Sequence, residues 1–253
     1  MPRPSTEIAA AQAPKPTVEA TPDYAGTELE TLEVLENYRA WILKDFRPFL
    51  RGHAVEIGAG IGSYSQQILP HVGALELVEP STPLHRRLAS RFAADPRVTV
   101  TPASVEAWTR ATPNAVRDTA VMINVLEHIA DDRDVLRELH RVLRPGGHLL
   151  LFVPALMALY SPIDRLLGHH RRYHRAELLE KVTTAGFRVD ACRYFDALGV
   201  VPWLVINRWA GATQFNPAAA RLYDRVGVPF TRAVERLIDP PLGKNLILVA
   251  TRV

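Results

Sequence analysis

The stretch Val55-Glu56-Ile57-Gly58-Ala59-Gly60-Ile61-Gly62 constrains this chain more than any other. Val55 and Ile57 flank an acidic residue and read as a short buried strand. Glycine then stands at every other position, and Ile61, Tyr64, Ile68 and Leu69 follow at helical spacing. Strand, glycine turn and helix set a nucleotide against bare backbone at a helix N-terminus. One glycine permits a tight turn with positive φ, a second lets a ligand approach the main chain, and a third lets the helix pack close to the strand. The dinucleotide fingerprint runs G-x-G-x-x-G. Here the third glycine arrives one residue early, at Gly62, and position 63 is serine. The turn alone does not choose its ligand, so the partners further along must.

Those partners arrive by alternation. Strands are expected at His53–Gly58, Leu75–Glu79, Arg97–Thr101, Thr119–Asn124 and His148–Val153. Helices are expected between them, at Gly62–Leu69, Pro83–Ala93, Val105–Arg110 and Asp132–Leu143. Pro145-Gly146-Gly147 reads as the end of a helix and the start of a strand. Such alternation implies right-handed crossovers and a mostly parallel sheet. Ligands of such sheets bind beyond the carboxyl ends of the strands, at the switch point. The segment from Glu56 to Gly62, Glu79, Ser104 and Asn124 all fall at those ends. A carboxylate at Glu79 is placed to accept from both hydroxyls of an adenosine ribose.

In order, VEIGAGIG, LELVEP, MINVLEHI and LRPGGHLLLFVP resemble the class I methyltransferases that use S-adenosylmethionine, over residues 30–195. The resemblance implies a doubly wound, Rossmann-like seven-stranded α/β sheet, mostly parallel with an antiparallel last strand. It implies S-adenosylmethionine as cofactor, held by Glu56, Gly58, Ala59, Gly60 and Gly62 and by Glu79 with Pro80. Ser104 and Val105 match the adenine position, where the family often carries Asp. Asn124 and Val125 match the amino-acid end of the cofactor. Tyr38 belongs to a helix over residues 27–50 that often folds over the cofactor in this family. The wording VPALMALYSPID…GHHRRYHRAEL…AGF resembles a bacterial subgroup of methyltransferases often found beside glycosyltransferases.

The chain of 253 residues suffices for one large α/β domain, expected over 24–253. Residues 1–23 are rich in Pro, Ala, Thr and Glu, have no apolar run of the secretory type, and read as a disordered tail. The net charge of +3 is small, and Lys and Arg are scattered without aromatic interleaving, which argues against a nucleic-acid surface. A lone cysteine, Cys192, excludes an intrachain disulfide and a cysteine metal site and reads as a buried structural thiol. No apolar run reaches membrane-spanning length. The expected location is cytoplasmic.

Two insertions, 155–173 and 197–240, interrupt the alternation and carry the acceptor-side candidates. In-line methyl transfer requires alignment and exclusion of water, and it requires neither a covalent intermediate nor a metal. A hydroxyl or amine acceptor needs a base. The candidates are His128, His169, His170, Tyr173 and Asp164. The basic run from His169 to Arg175 reads either as capture of an acidic substrate by Arg171 and Arg172 or as salt bridges tying the insertion to the sheet. Trp41 and Trp203 are candidate pocket walls, with Trp209 and Phe215 beside them. The apolar 197–240 segment reads as a substrate wall, a homodimer face, a membrane-surface contact or an extra core layer. The expected activity is O-methylation of a small molecule or of a lipid- or glycan-linked acceptor. The alternatives are an NAD(P)-dependent Rossmann oxidoreductase, which the Gly-x-Gly-x-Gly spacing disfavours, and a non-catalytic methyltransferase-like partner subunit.

Overall fold

Seven strands form one sheet in the order β3-β2-β1-β4-β5-β7-β6. They are β1 (His53–Ile57), β2 (Ala74–Val78), β3 (Val98–Thr101), β4 (Arg117–Ile123), β5 (Leu143–Pro154), β6 (Phe187–Phe195) and β7 (Asn245–Arg252). The computed structural model describes residues 33–214 and 216–253. The expected tail, the first residues of the 27–50 helix and Phe215 lie outside the described residues. Strands β1 to β5 pair in parallel. β7 runs antiparallel between β5 and β6. The expected class is therefore observed, with the last strand inserted next to the end of the sheet.

Each inner strand feeds two cores, because successive side chains leave opposite faces. Val55, Ile57, Ala120, Met122, Leu149 and Leu151 pack on one face, against Val135, Leu139, Leu178 and Val182 from helices α5 (Asp132–Val142) and α7 (Arg175–Thr184). Ala54, Val121, Leu150, Phe152, Ile247 and Val249 pack on the other, against Ile42 and Phe46 of α1 (Glu36–Phe46) and Leu88 and Phe92 of α3 (Thr82–Phe92). Near-continuous apolar runs in β4, β5 and β7 are the sequence form of burial on both faces.

Two expectations change in detail. The helix after the glycine turn is one short piece, α2 (Ser65–Ile68), because Pro70 sits in the tighter turn Leu69–His71 that ends it. β5 begins at Leu143, five residues earlier than expected. Pro145-Gly146-Gly147 lies inside it, and the pairing with β4 shifts register between Arg117 and Thr119. A Cβ on Gly147 would stand 2.9 Å from the Arg144 carbonyl oxygen and 3.1 Å from that of Asp118, so the bulge requires glycine.

The 197–240 segment is helical. Val200–Pro202 runs into a π-helical stretch, Trp203–Trp209, and Pro217–Leu222 runs through a second one, Tyr223–Gly227, into Val228–Glu235. Its buried Asp224 reaches across to α1. One oxygen accepts from Tyr38 N at 2.9 Å and the other from Asn37 N at 3.1 Å. A carboxylate from a distant segment thus caps a helix whose own N-cap, Leu35, supplies no side-chain bond. Asp224→Ala should lose about 1–2 kcal/mol in denaturant unfolding. A loss near zero would show that α1 does not depend on this cap.

Candidate active site

The glycine turn is pinned from below and from the side. Val78 O at the end of β2 accepts from Gly58 N at 2.8 Å and from Ala59 N at 3.2 Å. Glu79 Oε2 accepts from Gly60 N at 2.8 Å, and Oε1 accepts from Ser81 N at 2.9 Å. The backbone is left-handed at Gly58 and Gly60, with φ of 69° and 57°. Burial raises the Glu79 pKa, and the bonds from Ser81 and Gly60 oppose the rise. Each carboxylate oxygen keeps lone-pair capacity toward the cavity it faces.

That cavity, of about 1260 Å³, runs across the ends of β1, β2, β4 and β5. Gly58, Gly60, Glu79, Pro80, Ser104, Val105, Asn124, Val125 and Tyr38 line one part. His128, His169, Arg172 and Trp203 line another. Asn124 closes β4 at φ 53°, a left-handed conformation that asparagine tolerates better than most side chains, while its N–H donates to Phe152 O. Ser104 Oγ accepts from Ala107 N at 3.3 Å and so caps its helix, Val105–Ala111, as well as lining the cavity. The Tyr38 hydroxyl donates to Asn245 Oδ1 at 3.0 Å.

Several expected site residues are not on the cavity wall. Glu56 is buried beneath the turn, where Oε2 accepts from Ser65 Oγ at 2.5 Å. Ala59 is buried in the core, and Gly62 lies against α3, where a Cβ would stand 2.7 Å from the Phe92 ring. Gly62 therefore sets helix packing. Trp41 is buried with its ring 3.8 Å from that of Phe195. The Tyr173 hydroxyl is fully buried, donates to Asp132 Oδ2 at 2.8 Å with Leu126 O also near at 3.2 Å, and does not line the cavity. Arg171 pairs with the same Asp132 at 2.6 Å. Lys181 pairs with it at 2.7 Å. Of the basic run, Arg171 and Tyr173 thus tie the 155–173 insertion to α5 and α7, which is the bland reading of that run. Cys192 is buried, and burial pushes its thiol up to about 11.

The remaining polar wall is ordered by Asp164. Its Oδ1 meets His169 Nδ1 at 3.0 Å and Arg172 Nε at 2.8 Å, and Oδ2 accepts from Ser161 Oγ at 2.7 Å. These bonds hold the Asp164 carboxyl below its usual range despite burial. The Arg172 guanidinium lies 4.5 Å over the Trp203 ring. Burial, with the two neighbouring histidines, drops the His128 pKa to about 4, so its imidazole is neutral near pH 7. Lys244 and Asn245 also line the cavity, and sequence reasoning missed them. Lys244 precedes β7 and Asn245 opens it, far along the chain, and the insertion of β7 beside β5 brings them to this wall. Lys244 Nζ pairs with Asp196 at 2.9 Å.

A family model for a methyltransferase domain matches residues 55–149, the part containing the glycine turn, Glu79 and Asn124. Residues 55–149 are a methyltransferase domain. A Mycolicibacterium smegmatis protein described as a probable S-adenosylmethionine-dependent methyltransferase is 39% identical over 90 residues, which are 35% of this chain and 33% of that protein. The chain thus matches about a third of that relative's length. Solved structures share the fold at low identity. A methyltransferase of this type from Thermotoga maritima has a TM-score of 0.63 at 17% identity, covering 91% of this chain and 96% of its own. One from Mesorhizobium loti has 0.60 at 18%, covering 86% and 100%. A Haemonchus contortus phosphoethanolamine N-methyltransferase, solved with S-adenosylhomocysteine, has 0.61 at 17%, covering 91% of this chain and 58% of its own.

The family's cofactor fits the residues present. The Gly58–Gly60 backbone is bare, Glu79 offers an acceptor for a diol, and Leu84, Val105 and Ile129 give an apolar wall for a flat base. Burial raises the Glu56 pKa from 4.5 to about 8. A raised folded-state pKa gives stability that is complete below pH 4.5 and is lost as pH rises toward 8. Glu56→Gln should therefore make the fall in melting temperature between pH 5 and pH 8 shallower, and an unchanged fall would rule this group out as its source.

Proposed function

We propose that this protein transfers the methyl group of S-adenosylmethionine to an oxygen of an acceptor bound between the 155–173 and 197–240 segments. The observation that carries this is the continuity of one cavity from Glu79 to His128 and His169. When bound, the cofactor supplies a methyl activated by a sulfonium. Glu79 holds the ribose diol, the Gly58–Gly60 backbone and Asn124 flank the amino-acid end, and Tyr38 covers it from α1. The acceptor's polar end faces His128, His169 and Arg172, and Trp203 shields it from water, so that acceptor and methyl are held in line.

Glu79→Ala should weaken S-adenosylhomocysteine binding about ten- to hundred-fold in calorimetry, or about 1.5–3 kcal/mol for bonds to a charged acceptor. Undiminished affinity would sink the ribose assignment. A tight NADH signal in place of S-adenosylhomocysteine binding would favour the oxidoreductase reading.

The acceptor class we propose is lipid-linked. The cavity reaches Ile206, Leu222 and Val226, which are all exposed. The same segment also exposes Trp209, Phe230, Leu237 and Ile238. Arg208, Arg221, Arg225 and Arg236 are exposed on the same segment, with Asp239 as its exposed acid. Among the described residues no helix is long and apolar enough to cross a membrane. A segment with exposed apolar and arginine side chains that also lines the cavity suits contact with an anionic bilayer surface. The protein should sediment with phosphatidylglycerol vesicles, less so at high salt, and not with phosphatidylcholine alone. Trp209→Ser should weaken that binding about ten-fold, the value of one buried aromatic side chain. Retention by neither vesicle would overturn the lipid-linked class, and a stable dimer burying this face would replace it.

A further inference from the structure

We propose that Glu127, His128 and His169 bind one divalent transition-metal cation, of the zinc type, at the wall of the cavity. One ligand atom from each residue lies within 4.8 Å of the others. His169 Nε2 stands 4.0 Å from Glu127 Oε1, and the two imidazoles meet at 88° with centroids 4.6 Å apart. Ligand atoms around a tetrahedral zinc are about 3.3 Å apart, so the three side chains need to close by about 0.7–1.5 Å.

The second observation is the state of Glu127. It is wholly buried, and neither carboxylate oxygen has a hydrogen-bond partner in another residue. A buried carboxylate left this way is costly unless a proton or a cation joins it. Nothing in the proposed methyl transfer uses it.

The surroundings are those of a metal site. Asp164 occupies His169 Nδ1 and thereby turns Nε2 toward Glu127. Asp164 is itself held by Ser161 and Arg172, so the outer partner is rigid. Two imidazoles and one carboxylate favour zinc-like ions over magnesium or calcium, which take oxygen ligands. Three protein ligands leave a coordination position open, and His128 and His169 both line the cavity. A divalent cation here adds two positive charges beside the Asp164–Arg172 pair and is joined by Glu127 as a carboxylate. That favours an acceptor oxygen that must become negative. This last consequence rests on the methyltransferase reading, whereas cation binding does not.

The competing occupant is a proton: a charged His169 bridging Asp164 and Glu127 would need no metal. The test uses the untagged full chain, freed of metal with a chelator and titrated with Zn²⁺ or Co²⁺ by calorimetry, with Mg²⁺ as control. We expect one equivalent of Zn²⁺ or Co²⁺ to bind, visible absorption from the bound Co²⁺, and no Mg²⁺ uptake. Glu127→Gln and His169→Gln should each weaken Co²⁺ binding at least about ten-fold, as should Asp164→Asn through His169. His53→Gln, an exposed histidine at the start of β1, should leave it unchanged. Glu127→Gln removes a buried charge with an isosteric amide, so it should fold, and circular dichroism checks this. No saturable uptake, or uptake equal in the parent and Glu127→Gln, overturns the proposal. S-adenosylhomocysteine titrated into the same metal-free samples separates the two readings, because its loss would count against the cofactor site and not against the cation site.

Discussion

A buried carboxylate at the end of β2 holds the glycine turn at the end of β1. Glu79 takes Gly60 N with one oxygen and Ser81 N with the other, so two strand ends and the start of α3 share one anchor. A charge so deeply placed is tolerable only with donors, and here the donors are main chain. The turn stays open because glycine accepts the left-handed backbone that this pinning imposes. The cavity exists because β1 and β4 are neighbours whose following segments leave in different directions, which is the switch-point geometry of a doubly wound sheet.

The far side of the cavity depends on a second set of buried charges. Asp132 gathers Tyr173, Arg171 and Lys181, and Asp164 gathers Arg172, His169 and Ser161. Breaking such buried groups costs more than forming them gains, so they fix position more than they add stability. Together they bring the 155–173 segment back onto the sheet, where Tyr173 also bridges to Ala155. Asp224 performs the same service for α1, and through it the 197–240 segment and the helix over the cavity become one wall.

The sheet was legible because its strands are apolar runs between glycine and proline punctuation, and their order repeats a known family pattern. The glycine turn, Glu79 and Asn124 were legible as residues at strand ends. Glu56 and Gly62 belong to the same motif but face away from the cavity, toward Ser65 and α3, and the spacing of the motif does not show this. Tyr173 and Arg171 looked like chemistry and prove to be ties, because sequence shows a charge without its partner. Lys244, Asn245 and Asp224 were invisible for the opposite reason: they reach the cavity through pairings with segments far away along the chain. Glu127 became informative only when its burial and lack of partners were seen together.

The central claim is that cofactor and acceptor share one cavity, with Glu79 at one end and the His128–His169 wall at the other. A crystal structure of the protein soaked with S-adenosylhomocysteine tests it most directly. The account predicts both ribose hydroxyls within about 3 Å of the Glu79 carboxylate, with the sulfur turned toward His128 and His169. A ligand bound elsewhere, or one whose sulfur faces away from that wall, would contradict it.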